Sequence, residues 1–220
     1  MASKTLQNKI DEGRQYRNAE PFTSDDDEMV VEGYASTFNE EYSLGGWRDW
    51  DGTKYRFFEQ VDPAAFNECD MSDVIMQYDH EGRVLARTRN NTLQISTDEH
   101  GLKIRADLSK SALGKGLYED IKNGIIDRMS FGFTIDDYRE EESGIDDTTR
   151  KILRTITKVG KLYDVSAVSF PANDGTEISA RSYIDGVIEG KKLEQAKCEE
   201  KEAKRKKLIL RLKLANMEED

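Results

Sequence analysis

From Met29 to Phe170 the chain is a succession of short apolar runs, rich in β-branched and aromatic residues and broken by turn signals. "MVVEGYASTF" opens the series, and "YRFFEQV", "VIMQYDH", "TLQISTDE", "GLKIRADL", "MSFGFTIDDY", "KILRTITKV" and "LYDVSAVSF" follow, with "NNT", "DEHG" and "KVGK" among the breaks. These runs predict a mainly β chain with helices, of the α+β class, whose mostly antiparallel sheet closes fully or partly into a small barrel.

One helix interrupts the strands. In "SALGKGLYEDIKNGI" Ser111 can cap the amino end, Leu113, Leu117 and Ile121 recur every four residues, and Gly124 can end the last turn. A further helical turn is expected at "DPAAF", 62–66, with Pro63 near its start. Residues 1–28 are mostly polar and end in "SDDDE", which predicts a flexible acidic arm. Residues 29–183 then form the folded domain, and 184–220 a mixed-charge tail, helical or disordered.

Charge separates these parts. The chain carries a net −11, but Gly186 to Asp220 holds ten basic and eight acidic residues, so this stretch is +2 and the remainder −13. An acidic folded part argues against general affinity for nucleic acid. No stretch approaches the roughly 20 apolar residues of a membrane-spanning helix, and the amino terminus lacks the apolar core of a signal peptide. Cys69 and Cys198 lie in unlike surroundings and read as free thiols. A soluble protein of a reducing cytoplasm is expected, with no membrane partner.

In "DRMSFGF", 127–133, a small hydroxyl sits among bulky apolar side chains. Strand alternation puts Met129, Phe131, Phe133 and Ile135 on one face and Ser130, Gly132 and Thr134 on the other. A face of small residues suits close approach of a peptide main chain to the hydroxyl; it equally suits a close-packed neighbour, with Ser130 bonded to a core carbonyl. A serine nucleophile needs a base, and imidazole is the usual supplier. His80 ends "VIMQYDH", on the alternate face of Val74, Met76 and Tyr78, whereas His100 lies in the turn "DEHGLK". His80 is the better candidate, on a rigid element rather than a turn tip, against the plainer alternative of a structural histidine.

An acceptor is then needed to orient the imidazole. Asp164 is a carboxylate inside an otherwise apolar strand, where burial is costly without a partner. Asp79, Glu81 and Asp127 compete with it, and Ser166 and Ser169 compete with Ser130. No set of histidines and cysteines has zinc spacing, no Gly-rich phosphate loop is present, and the acidic run at 25–28 lacks the pattern of a calcium loop. No metal or cofactor is expected.

The order "YDH", then "GLKIRADLSKSALGKGLYEDIKNGIIDRMSFGF", then "LYDVSAVSFPAND" resembles the prohead proteases of tailed bacteriophages, the capsid-maturation serine peptidases. The resemblance runs from about Val30 to Arg181. It implies Ser130 as nucleophile, His80 as general base and Asp164 as the acidic third member, on a fold similar to herpesvirus assemblin. It also implies a serine endopeptidase that cleaves the major capsid protein, at its scaffolding region, and itself. The implied place is the immature capsid in the host cytoplasm, and the implied assembly a homodimer. A second function class is a non-enzymatic assembly factor that binds scaffold or capsid protein.

Overall fold

The computed structural model describes residues 8–9, 13–19, 23–25, 28–169 and 174–217. The strands are β1 (Gln15–Ala19), β2 (Thr23–Asp25), β3 (Val30–Thr37), β4 (Tyr42–Arg48), β5 (Lys54–Val61), β6 (Ile75–Tyr78), β7 (Glu81–Arg87), β8 (Leu93–Thr97) and β9 (Gly101–Asp107). Helix α1 (Ala112–Lys122) follows, then β10 (Arg128–Asp146), β11 (Thr149–Val168) and helix α2 (Asp174–Met217). The expected mainly β chain with helices is therefore present.

The barrel is not. The strands form a four-stranded sheet in the order β2-β3-β9-β8 and a seven-stranded sheet in the order β1-β10-β11-β5-β4, with β6 beside β11 and β7 beside β6. Among the described residues no ladder joins the two sheets into a closed cylinder. Nor is the larger sheet uniformly antiparallel, because β11 takes both β5 and β6 as parallel neighbours. The reason is the length of β11. "KILRTITKV" and "LYDVSAVSF", expected as two strands, are one strand, whose first half borders β5 and whose last residues border β6.

Both sheets feed one core. Val31 and Ala35 of β3, Leu102 and Ile104 of β9, Met129, Phe131 and Phe133 of β10, and Val165 and Ala167 of β11 belong to a single apolar cluster. The predicted apolar face of "MSFGFTI" is thus directed inward, as period-two alternation requires. At roughly 1.5–3 kcal/mol for each large apolar side chain buried, this cluster is the main source of stability.

Helix α1 begins where the sequence places it. Ser111 Oγ accepts the Gly114 amide at 2.9 Å, and Gly124 adopts φ +69° just past the end. Its buried stripe is Gly114, Leu117, Tyr118 and Ile121, and Leu113, expected in that stripe, is exposed. Leu113 instead lines a cavity of about 390 Å³ with Tyr78, Leu85 and Leu117.

Two strands occupy the stretch expected to be a flexible arm: β1 pairs with β10 and β2 with β3. An edge strand needs little apolar sequence, since only one flank and one face are buried, and so the polar segment "RQYRNA" gave no strand signal. The chain divides into compact units Met1–Ala180 and Arg181–Asp220. The second is entirely helical where described, with a Lys204 to Glu200 ion pair one turn apart. Cys69 is a half-buried free thiol; the Cys198 side chain lies outside the described residues.

Candidate active site

The site is assembled on the inner pair of the larger sheet. In the antiparallel ladder of β10 and β11, Ser130 lies opposite Ser166 and Gly132 opposite Asp164. Residues two apart share a face, so these four positions form one small, partly polar patch. Position 132 carries no side chain for a spatial reason. A Cβ there would stand 2.6 Å from Asp164 Oδ2 and 2.7 Å from Tyr16 Cε1, closer than atoms pack.

His80 reaches this patch from a turn, which corrects the expectation of a strand position. Tyr78 of β6 pairs with Glu81 of β7, and Asp79 and His80 between them have φ +47° and +61°. Two central residues with positive φ make the mirror-image turn that suits tight hairpins. His80 is buried at the tip, whereas Asp79 beside it is half-buried. Asp79 donates its amide to Ala167 O at 2.9 Å, and its carboxylate accepts the Ser169 amide at 2.9 Å and the Ser169 hydroxyl at 2.8 Å. Tyr78 shares a further hydrogen bond with Ser169 Oγ. Lys9 Nζ donates to the His80 carbonyl at 2.6 Å. These contacts fix the hairpin to the end of β11 and offset a backbone conformation that costs of order 1 kcal/mol per residue.

The side chains meet as a relay. His80 Nδ1 is hydrogen-bonded to Asp164 Oδ1, and His80 Nε2 lies 2.8 Å from Ser130 Oγ. With Nδ1–H donated to the carboxylate, Nε2 carries the lone pair and Ser130 donates to it. Ser166 Oγ donates to Asp164 Oδ1 at 2.9 Å, whereas Asp164 Oδ2 has no hydrogen-bond partner among the described residues. The Tyr16 ring packs edge-on against the imidazole, with centroids 4.4 Å apart. His80 and Ser130 have no exposed surface and Asp164 is 1% exposed.

Burial pushes the Asp164 carboxyl up, but the charge and hydrogen bond of His80, the Ser166 hydroxyl and the Lys9 ammonium outweigh it, so the group stays below the ordinary carboxylate range. Buried and ionised, it can fix one imidazole tautomer and favour an imidazolium.

The structure therefore brings His80, Ser130 and Asp164 within hydrogen-bond reach of one another, and of their rivals Ser166 shares the patch as a second partner of Asp164. Asp79 anchors its own turn, Asp127 is exposed beside Arg128, and His100 is exposed with its ring against Tyr34. Ser166 and Ser169 bond to Asp164 and Asp79 rather than to an imidazole. Sequence reasoning missed Tyr16 and Lys9, both in the supposed arm. Among the described residues no group of three or more His, Cys, Asp or Glu side chains is placed to hold a metal ion.

Residues 16–187 match the family described as caudovirus prohead serine protease. The chain belongs to this family. The prohead protease of Enterobacteria phage HK97 is 28% identical over 172 residues, covering 76% of this chain and 66% of that relative, so the chain spans just under two thirds of the relative's length. No solved structure matches the chain. The region shared with the prohead serine proteases begins at Tyr16, inside β1, so this edge strand falls within the family's extent.

Proposed function

We propose that this protein is a serine endopeptidase of phage capsid maturation, with Ser130 as nucleophile, His80 as general base and Asp164 as the carboxylate that orients it. The observation that carries the proposal is the imidazole bridging Ser130 Oγ at 2.8 Å and the Asp164 carboxylate.

In the first half-reaction Oγ attacks the scissile carbonyl carbon while His80 Nε2 takes its proton. The imidazolium, favoured by the Asp164 charge, then gives that proton to the leaving amine, and the carbon–nitrogen bond breaks to leave an ester on Ser130. Water attacks this ester, again with its proton passing to Nε2, and releases the new carboxyl terminus and free Ser130. Asp164 stays ionised throughout.

The substrates proposed are the major capsid protein, cleaved at its scaffolding region, and the enzyme itself, with the immature capsid as the place of action. Family membership and the name of the phage HK97 relative support this reading. Complete burial of Ser130 favours a second reading, an assembly factor that binds scaffold or capsid protein without chemistry.

Reaction with a fluorophosphonate, mapped by mass spectrometry, tests the first reading. An adduct on Ser130 that disappears in His80→Ala is expected. Absence of any adduct on both the free protein and assembled proheads selects the assembly factor.

A further inference from the structure

We infer that the segment running up to and through β1 is part of the catalytic apparatus: Tyr16, on β1, positions the His80 imidazole, and Lys9, ahead of the strand, tethers the turn that carries it. This rests on the reading of Ser130 as nucleophile, and it gives a role to a segment that looks from sequence like a loose arm.

Asp164 holds the ring at Nδ1, Ser130 holds it at Nε2, and the bond to Cβ ties it to the turn. What remains is a small rocking of the ring into any space left beside it. Tyr16 fills that space, at 4.4 Å between centroids and 64° between planes. Tyr16 is fully buried although its strand lies at the end of the sheet order. Its Cε1 and the Asp164 Oδ2 share the space over Gly132, so one tyrosine borders both the base and the carboxylate.

The strand is anchored to suit this task. Alternate residues point to opposite faces. Tyr16 is turned to the imidazole, while Arg17 pairs on the other side with buried Glu59 of β5. The Arg14 guanidinium lies 3.9 Å over the Tyr163 ring, on the strand that carries Asp164. Lys9 closes the set, donating at 2.6 Å to the carbonyl of His80 itself and adding a positive charge that favours the Asp164 carboxylate. A misplacement near 1 Å in such a site lowers the rate by about 10²-fold.

The test compares Tyr16→Phe, Tyr16→Leu and Tyr16→Ala in the full chain, at a temperature where circular dichroism shows each folded. Two readouts are taken: the saturation kinetics of fluorophosphonate labelling at Ser130, and the downfield proton resonance of the His80 to Asp164 hydrogen bond. Tyr16→Phe keeps the ring, so it should retain the resonance and lose far less labelling rate than the other two variants. Tyr16→Leu and Tyr16→Ala should lose about 10²-fold in maximal labelling rate with reagent affinity unchanged, and lose the resonance. Lys9→Met should show a smaller loss in the same direction. Folded Tyr16→Leu that labels at the wild-type rate and keeps the resonance overturns the inference while leaving the Ser130 reading intact. If wild type itself never labels, the Ser130 reading fails and the resonance decides alone: loss in Tyr16→Leu with retention in Tyr16→Phe supports the positioning role, and persistence in both refutes it.

Discussion

Replacing Gly132 by alanine should separate activity from stability. The new Cβ would stand 2.6 Å from Asp164 Oδ2 and 2.7 Å from Tyr16 Cε1, against the 3.4 Å at which ordinary contact begins, so something must withdraw by roughly 0.8 Å. The strand itself cannot retreat, because β10 is laddered to β1 on one side and β11 on the other at this position. The side chains must give, and both adjoin His80. Backbone effects favour alanine by about 0.5–1 kcal/mol in a strand, while overpacking costs about 1–3 kcal/mol. The net cost, from about zero to about 2.5 kcal/mol, leaves a domain of ordinary stability folded at 25 °C. A displacement of this size in a catalytic constellation lowers kcat by about 10²-fold. Fluorophosphonate labelling at Ser130, set beside thermal unfolding of the same sample, measures both quantities. Wild-type labelling by a folded Gly132→Ala protein would show that the crowding over Gly132 is irrelevant to the site.

Asp164→Asn should fold and lose about 10⁴-fold in labelling rate, because the amide holds the wrong imidazole tautomer; a loss below tenfold would remove Asp164 from the mechanism. Acid should destabilise the protein progressively, beginning near pH 4. Asp164 and Glu59 are both held below the ordinary carboxylate range. For each, burial pushes upward and is outweighed, by His80 for the first and by Arg17 and Arg154 for the second. Their stabilisation is complete above the unfolded values and is lost as pH falls through the lower folded ones, so a circular-dichroism titration showing stability constant down to pH 2 contradicts the assignment. Glu59→Gln leaves two buried arginines without their shared carboxylate and should cost about 3–5 kcal/mol, read as a lower urea midpoint. Burial raises the Cys69 thiol to about 11, so iodoacetamide at pH 7.5 should leave it unmodified in the folded protein; rapid alkylation there would contradict that burial.

Ser130 and Asp164 were legible because each breaks a local rule of its strand: a hydroxyl and a gap at 130 and 132 amid Phe131 and Phe133, a carboxylate amid apolar neighbours at 164. The glycine of "SFGF" carried its own message, since glycine inside a strand marks the close approach of another group. The setting of His80 was not legible. "VIMQYDH" alternates to its end, and Asp-His lacks the glycine that usually flags a mirror-image turn, so nothing local ended the strand at Tyr78. The sheet was misread for a non-local reason. A run that pairs in parallel with β5 and then β6 looks like any other β run, and its partners are decided by chain crossovers that a linear pattern does not encode.

The parallel pairing of β6 with β11 also sets when, during synthesis, the site can exist. His80 and Asp164 are 84 residues apart in the chain, and the ladder that joins β6 to β11 cannot form until the last residues of β11 have left the ribosome. A nascent chain that ends at the serine strand already carries imidazole and hydroxyl. It has neither the carboxylate nor the strand on which the Asp79–His80 turn is seated. Contacts of such long separation are closed late, after the loop entropy between them has been overcome. Copies that stop short of the end of β11 therefore lack the relay, and a cell that translates this chain meets it assembled only in molecules complete through β11.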